Sequence, residues 1–184
     1  MPYRYYGFYW MDYTYILVVI GAIICLIASA RMNSTFNRYQ RVRSMSGMTG
    51  AMAAERILRD AGIHDVQVQH VSGNLTDHYN PMNKTLSLSD SVYNSTSVAA
   101  VGVAAHECGH AIQHQEGYAP LKLRSFSVPL ANIGSRLSWP IIVLGLILGW
   151  SGLLEVGILL FVFVVAFQLI TLPVEFDASH RAIR

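Results

Sequence analysis

The chain has 184 residues, room for one modest domain or for a smaller domain plus membrane helices. Apolar residues make up 53% of it and charged residues only 13%, against roughly 25% in a soluble domain, so lipid is expected to replace water over part of the surface. A net charge of +2 argues against a nucleic-acid partner. Two cysteines, Cys25 in an apolar run and Cys108 inside a polar motif, argue against a disulfide framework and suit a reducing compartment.

The first element in chain order is an apolar stretch from about Tyr13 to Ala30, uncharged after Asp12. Its length predicts a transmembrane helix over 14–30. Residues 1–13 are aromatic rather than basic, which favours an uncleaved anchor over a signal peptide. The tyrosines and Trp10 suit an interfacial belt on a short external terminus.

A polar domain over 31–136 follows. Thr49 caps a helix through AMAAERILRDA that Gly62 ends. Val66–Val71 and Lys84–Ser89 alternate as half-buried strands do, and the two are expected to pair across the Ser72–Asn74 turn and the Asp77–Pro81 loop. A longer helix is predicted over about 95–116, stopping at Gly117.

Next come two adjoining apolar stretches from Trp139 to Leu172, broken by Trp150–Glu155. A single helix would hold Glu155 near mid-bilayer at a cost of about 2.5–3.5 kcal/mol. A transmembrane hairpin over 137–172 turns Gly149–Glu155 outward instead. The 34 residues from Trp139 to Leu172 reach only about 51 Å, less than two crossings of roughly 30 Å, so a thin bilayer or burial against protein is expected. Residues 173–184 begin a final helix. Arg31, Arg38, Arg41 and Arg43 follow the first span, Lys122, Arg124 and Arg136 precede the hairpin, and Arg181 and Arg184 follow it. Only Arg4 lies on the other side. This distribution puts the polar domain in the cytoplasm.

The 95–116 helix carries His106-Glu107-Cys108-Gly109-His110. Histidines at i and i+4 share a face, so both imidazoles reach one Zn²⁺ at about 2.0–2.1 Å. Glu107 points to the flank, where a carboxylate takes a proton from a zinc-activated water and passes it to a leaving amine. The plainer alternative is a pair of packing histidines around a glutamate; the helical context favours the metal. Catalytic zinc wants a third protein ligand and an open position. His114 lies about 12 Å along the axis from His106, too far to share the ion. Gln113 and Glu116 stand where a longer motif would carry its glycine and third histidine. Glu116 has poor geometry and Glu155 is expected across the membrane. Glu175 remains, with Asp177 as its alternative.

HECGH, a hydrophobic hairpin and then Pro173-Val-Glu-Phe-Asp-Ala-Ser179 resemble the bacterial YugP-like neutral zinc metallopeptidases. The likeness also takes in Thr76–Pro81, Leu88–Tyr93 and Val103–Gln113. More distantly the chain is similar to HtpX-type membrane proteases and CAAX prenyl proteases, where spans also separate the motif helix from the helix bearing the glutamate ligand. The resemblance implies an α+β, predominantly helical fold with a zincin-like core, and Glu175 as third ligand. Ser179 stands where the HtpX-type pattern has an aspartate. Such families continue further, so a closing helix or another span is expected past Arg184.

Weaker candidates remain. His180 or Arg181 could stabilise an oxyanion, against the plainer role of interfacial cations, and Asp177 could support the ligands. The second strand, through Thr85, Leu86 and Ser87, could hold a substrate peptide at an exposed edge, or pack as an ordinary strand. His78 beside Asp77 reads as a local turn rather than a second metal site. His64, His70 and His114 read as structural, and Cys108 as packing. The expected function is a multi-pass membrane zinc endopeptidase with one Zn²⁺, a cytoplasmic active site, and peptides or membrane proteins as substrates. The alternative is an inactive scaffold or adaptor keeping a structural zinc, against which the intact Glu107 argues. An intramembrane protease is disfavoured because the motif helix is too short and too polar to span.

Overall fold

The structure, a computed structural model, describes residues 13–183, with side chains from residue 16 onward. The external terminus with its aromatic belt, Arg4 and Arg184 lie outside the described residues. In chain order the elements are α1 (Tyr13–Gln40), α2 (Gly50–Asp60), β1 (Gln67–Val71), β2 (His78–Asn80), β3 (Thr85–Ser89), α3 (Val98–Gln115), α4 (Ala119–Leu148) and α5 (Ser151–Ala182). Helix predominates beside one small sheet.

The local signals act where the sequence puts them. The Thr49 hydroxyl accepts the Met52 N–H at 3.2 Å to start α2, and the Ser97 hydroxyl accepts the Ala100 N–H at 3.1 Å to start α3. Gly62 and Gly117 follow the ends of α2 and α3 with φ of +71° and +68°, the left-handed conformation in which a helix stops at least cost in glycine. The alanine-rich face of α2 (Ala51, Ala54, Leu58) packs with Leu86, Leu88 and Val92 against Ala100, Ala104, Cys108 and Ala111 of α3. That is the core.

The sheet differs from expectation in one respect. The Asp77–Pro81 segment, expected as a loop, contains strand β2, and the order is β1-β3-β2, with β1 parallel and β2 antiparallel to β3. Its short run, His78-Tyr-Asn80, is too brief to show an alternating pattern. Asp77 anchors it: its carboxylate accepts the Ser89 backbone N–H at 2.7 Å and the Ser89 hydroxyl at 2.9 Å. β3 is therefore the middle strand. Both its edges are paired, and Leu86, Ser87, Leu88 and Ser89 are buried.

The hairpin is longer than the 137–172 expected. Its helices have 30 and 32 residues and the turn is only Gly149-Trp150, with Gly149 at φ +62°. Glu155 lies in the first turns of α5 and is exposed. At 1.5 Å per residue each helix runs about 45–48 Å, so the length deficit disappears: the apolar block is only the middle of two helices that continue into the polar domain. Small residues bring the two axes together. A Cβ at Gly157 would come within 3.0 Å of the Ile142 nitrogen, and one at Gly145 within 2.9 Å of the Leu154 nitrogen. Trp139, Leu146, Ile147, Leu159 and Leu169 point outward and exposed, as lipid-facing residues do. Among the described residues three helices, α1, α4 and α5, are long and apolar enough to cross a membrane.

Where α3 crosses α5 the backbones nearly touch. A Cβ at Gly109 would lie 2.7 Å from the carbonyl oxygen of Ala178 and 3.1 Å from its Cα, and backbone cannot give way. Gly109→Ala should therefore cost about 1–3 kcal/mol by overpacking. Gly102→Ala, on the same helix but with nothing within 4 Å of its Cβ, should be neutral or gain about 0.4–1 kcal/mol. Denaturant unfolding in detergent compares them, and equal stability of the two variants would refute the close crossing.

Candidate metal centre

Two helices build the site. On α3, His106 and His110 lie one turn apart with ring centroids 4.9 Å apart and planes at 82°. From α5, Glu175 meets both: its Oε2 is 3.2 Å from His106 Nε2 and 3.6 Å from His110 Nε2. Three donor atoms on one tetrahedral ion with bonds of about 2.0–2.1 Å would be separated by about 3.3 Å. The two measured distances lie on either side of that value, and two imidazoles with one carboxylate are a donor set zinc accepts. The residues fit the metal.

Each donor is held from behind. His106 Nδ1 meets the Ser179 hydroxyl at 3.2 Å, and His110 Nδ1 meets Gln113 Oε1 at 3.0 Å. Arg124 donates from Nη1 to the other oxygen of Glu175, Oε1, at 2.9 Å, which leaves Oε2 turned toward the imidazoles. Such partners orient metal ligands and fix their tautomers.

Glu107 projects beside this group. It is buried, and its Oε2 accepts the backbone N–H of Tyr79 at 3.0 Å. Burial raises its pKa above the ordinary glutamate value, opposed by the two imidazoles and the Tyr79 N–H. His106 is shifted upward as well, chiefly by its hydrogen bond to Glu175. Cys108 faces the opposite way, with Sγ 3.6 Å from the Ala54 carbonyl oxygen. Burial, and then the nearby Glu107, push its thiol up to about 12, so it is inert packing.

A cleft of about 420 Å³ opens over these groups. β2 and the residues that follow it form one wall, with Tyr79 and Met82, and the first turns of α4 form the other, with Leu121, Arg124 and Val128.

The structure brings together His106, Glu107, His110 and Glu175, and separates the rest. Asp177 faces Gln113, whose Nε2 donates to its Oδ2 at 2.8 Å, so it stands behind the imidazoles rather than among the donor atoms. Arg181 is engaged elsewhere, its Nε donating to Asp177 at 2.6 Å and its Nη2 pairing with Glu116 at 2.8 Å. Neither it nor the exposed His180 lines the cleft. Thr85, Leu86 and Ser87 are corrected as a substrate edge: they belong to the middle strand, whose hydrogen-bonding groups are taken on both sides. The edge that reaches the cleft is β2. His78, expected in a local turn, lies in strand β2 instead, its Nδ1 2.9 Å from the Thr76 carbonyl oxygen. His70 and His114 have protein partners, Asp90 at 2.5 Å and the Tyr79 hydroxyl at 2.8 Å.

Three participants escaped the sequence reading, and a fourth, Ser179, was noted only for standing where the HtpX-type pattern has an aspartate. Gln113, three residues after His110, and Ser179, four after Glu175, carried helical spacings that could have marked them. Arg124 counted only as a charge for topology. Tyr79 contributes a main-chain N–H, for which a sequence has no signal.

The profile of the family described as "Putative neutral zinc metallopeptidase" matches residues 14–184. A Bacillus subtilis (strain 168) protein named "Putative membrane protease YugP" is 45% identical over 169 residues, which cover 91% of this chain and 75% of that protein. No solved structure matches the chain. With HECGH and Glu175 gathered at one point, and a family profile that runs through both, the chain belongs to the family described as "Putative neutral zinc metallopeptidase".

Proposed function

We propose that this protein is a membrane-bound zinc endopeptidase with His106, His110 and Glu175 as the metal ligands and Glu107 as the general base. The observation that carries the reading is the convergence of three donor atoms beside a buried carboxylate at the floor of a cleft. Bound there, zinc supplies Lewis-acid chemistry, lowering the pKa of water to roughly 7 and polarising a carbonyl.

The chain's own residues do the rest. Glu107, its pKa raised by burial, takes the proton of the attacking water on its free carboxylate oxygen and returns it to the leaving nitrogen. Arg124 replaces His180 and Arg181 as the cleft's cation. One nitrogen holds Glu175, and the planar fork has further N–H groups for the oxyanion that develops on the substrate carbonyl. An extended peptide would lie along the β2 edge. An active-site helix beneath a small sheet whose edge strand borders the cleft supports the zincin-like reading. A scaffold with a structural zinc would have no use for a buried base in such a cleft.

The membrane reading rests on the register of the hairpin. Arg124 stands 24 residues before Leu148, the end of α4, and Glu175 stands 24 residues after Ser151, the start of α5. Both are about 36 Å from the turn, a few ångströms more than a hydrocarbon core of about 30 Å. With the turn outside, the metal centre would lie at headgroup level on the arginine-rich cytoplasmic face, within reach of peptides and of membrane-protein segments near the surface.

Glu107→Gln should keep zinc and abolish cleavage, whereas Arg124→Ala, which also releases Glu175, should weaken zinc about 10–100-fold and, at saturating zinc, lose about 10²–10³ in kcat. Metal analysis beside a casein or membrane-protein cleavage assay tests both, and undiminished cleavage by Glu107→Gln would sink the proposed base. Glu175→Ala should weaken zinc binding far more than Asp177→Ala; the reverse ranking would reassign the ligand. A cysteine at the exposed Ser151 should react with an impermeant maleimide added outside intact cells. Labelling only after the cytoplasmic face is opened would reverse the topology.

A further inference from the structure

We propose that Gln113 is a positioning residue that locks His110 into the tautomer with its proton on Nδ1, leaving Nε2 as a lone-pair donor. The orientation of its amide follows from its neighbours. Gln113 is fully buried on α3, and its Nε2 lies 2.9 Å from the Val174 carbonyl oxygen and 2.8 Å from Asp177 Oδ2. Both are acceptors only, and an amide nitrogen has two hydrogens to give them. The flipped amide would set its oxygen against a carbonyl and a carboxylate in a buried place, with two repulsive contacts and no donor for either. Oε1 therefore faces His110 Nδ1, 3.0 Å away.

An oxygen that only accepts demands a donor. His110 Nδ1 must carry the hydrogen, and a neutral imidazole has only one. The lone pair is thus on Nε2, the atom 3.6 Å from Glu175 Oε2.

What holds the amide is a chain of charge-assisted bonds that leaves α3 and returns to it. Asp177 accepts from Arg181 Nε at 2.6 Å, and Arg181 Nη2 reaches Glu116 at 2.8 Å, one residue past the end of α3. Asp177 and Arg181, expected at the ion or the oxyanion, act here as anchors for Gln113. His106 provides the contrast. Its Nδ1 meets the Ser179 hydroxyl at 3.2 Å, and a hydroxyl that can rotate either gives or takes a hydrogen. Ser179 therefore fixes no tautomer at His106, whose Nε2 faces Glu175 Oε2 at 3.2 Å instead.

The tautomer stands on geometry alone; its consequence for an ion rests on the metallopeptidase reading. The test uses the full chain in detergent, labelled with ¹⁵N-histidine, treated with chelator and held at a pH where imidazole is neutral. His110 is assigned by its loss in His110→Gln. The expected wild-type spectrum has a protonated-type Nδ1 and an unprotonated-type Nε2 for His110. In Gln113→Leu, checked for folding by circular dichroism, the two His110 signals should move toward averaged values, and zinc affinity against a chromophoric chelator should fall about 10–100-fold. A wild-type His110 protonated on Nε2, or averaged between tautomers, overturns the proposal. So does a Gln113→Leu protein with an unchanged tautomer or unchanged zinc affinity. If Gln113→Leu does not fold, the wild-type spectrum decides by itself. A locked His110 in a protein that takes up no zinc would uphold the tautomer and sink the metallopeptidase reading instead.

Discussion

The site depends on one close approach, the crossing of α3 and α5 where Gly109 lies against the backbone of Ala178. A carboxylate on one helix reaches imidazoles on another only if the axes come nearer than ordinary side chains allow. Glycine in the middle of a helix is normally a loss of roughly 0.5–1 kcal/mol relative to alanine. Here the missing Cβ sets the distance between ligand groups. Buried Val174 and Ala178 complete the contact from α5, and Glu175 lies between them on the same helix, turned toward α3.

Around that crossing the polar groups are satisfied in a connected way. No buried side-chain nitrogen or oxygen among the described residues lacks a partner. Arg124, Ser179 and Gln113 each take one atom of a ligand residue, and the Asp177–Arg181–Glu116 chain holds Gln113 in turn. In a low-dielectric setting an incomplete network would be worse than an apolar one, because an unpaired polar group keeps its full desolvation cost. The arrangement therefore favours one geometry over near alternatives. Preorganisation of this kind is what a metal site and a catalytic base both require.

The apolar helices and the polar domain share the same elements. α4 lines the cleft with Leu121, Arg124 and Val128 in its first turns and presents apolar residues such as Ile147 and Leu148 at its far end. α5 runs the other way and carries Glu175 back to the motif helix. The Arg124–Glu175 ion pair joins the two helices at equal distances from their turn. Sliding one helix past the other would break that pair and also the close contacts at Gly145 and Gly157.

By itself the sequence determined the local chemistry: the HECGH spacing on a helix, the Thr49 cap and the Gly62 stop, the apolar lengths, and, by exclusion, Glu175 as the acid to join the histidines. Each of these follows from short-range rules of helical period, capping and hydrophobic length. Tertiary structure alone decided the rest. A three-residue strand such as β2 has no periodicity to betray it and exists because β3 offers an edge. That pairing moved the exposed edge from Thr85–Ser87 to His78–Asn80. Arg181 was drawn from the cleft by Glu116 and Asp177, while Arg124 was drawn in by Glu175. The competition among charges for partners depends on which helices meet, and that contact is made by residues some seventy positions apart in the chain.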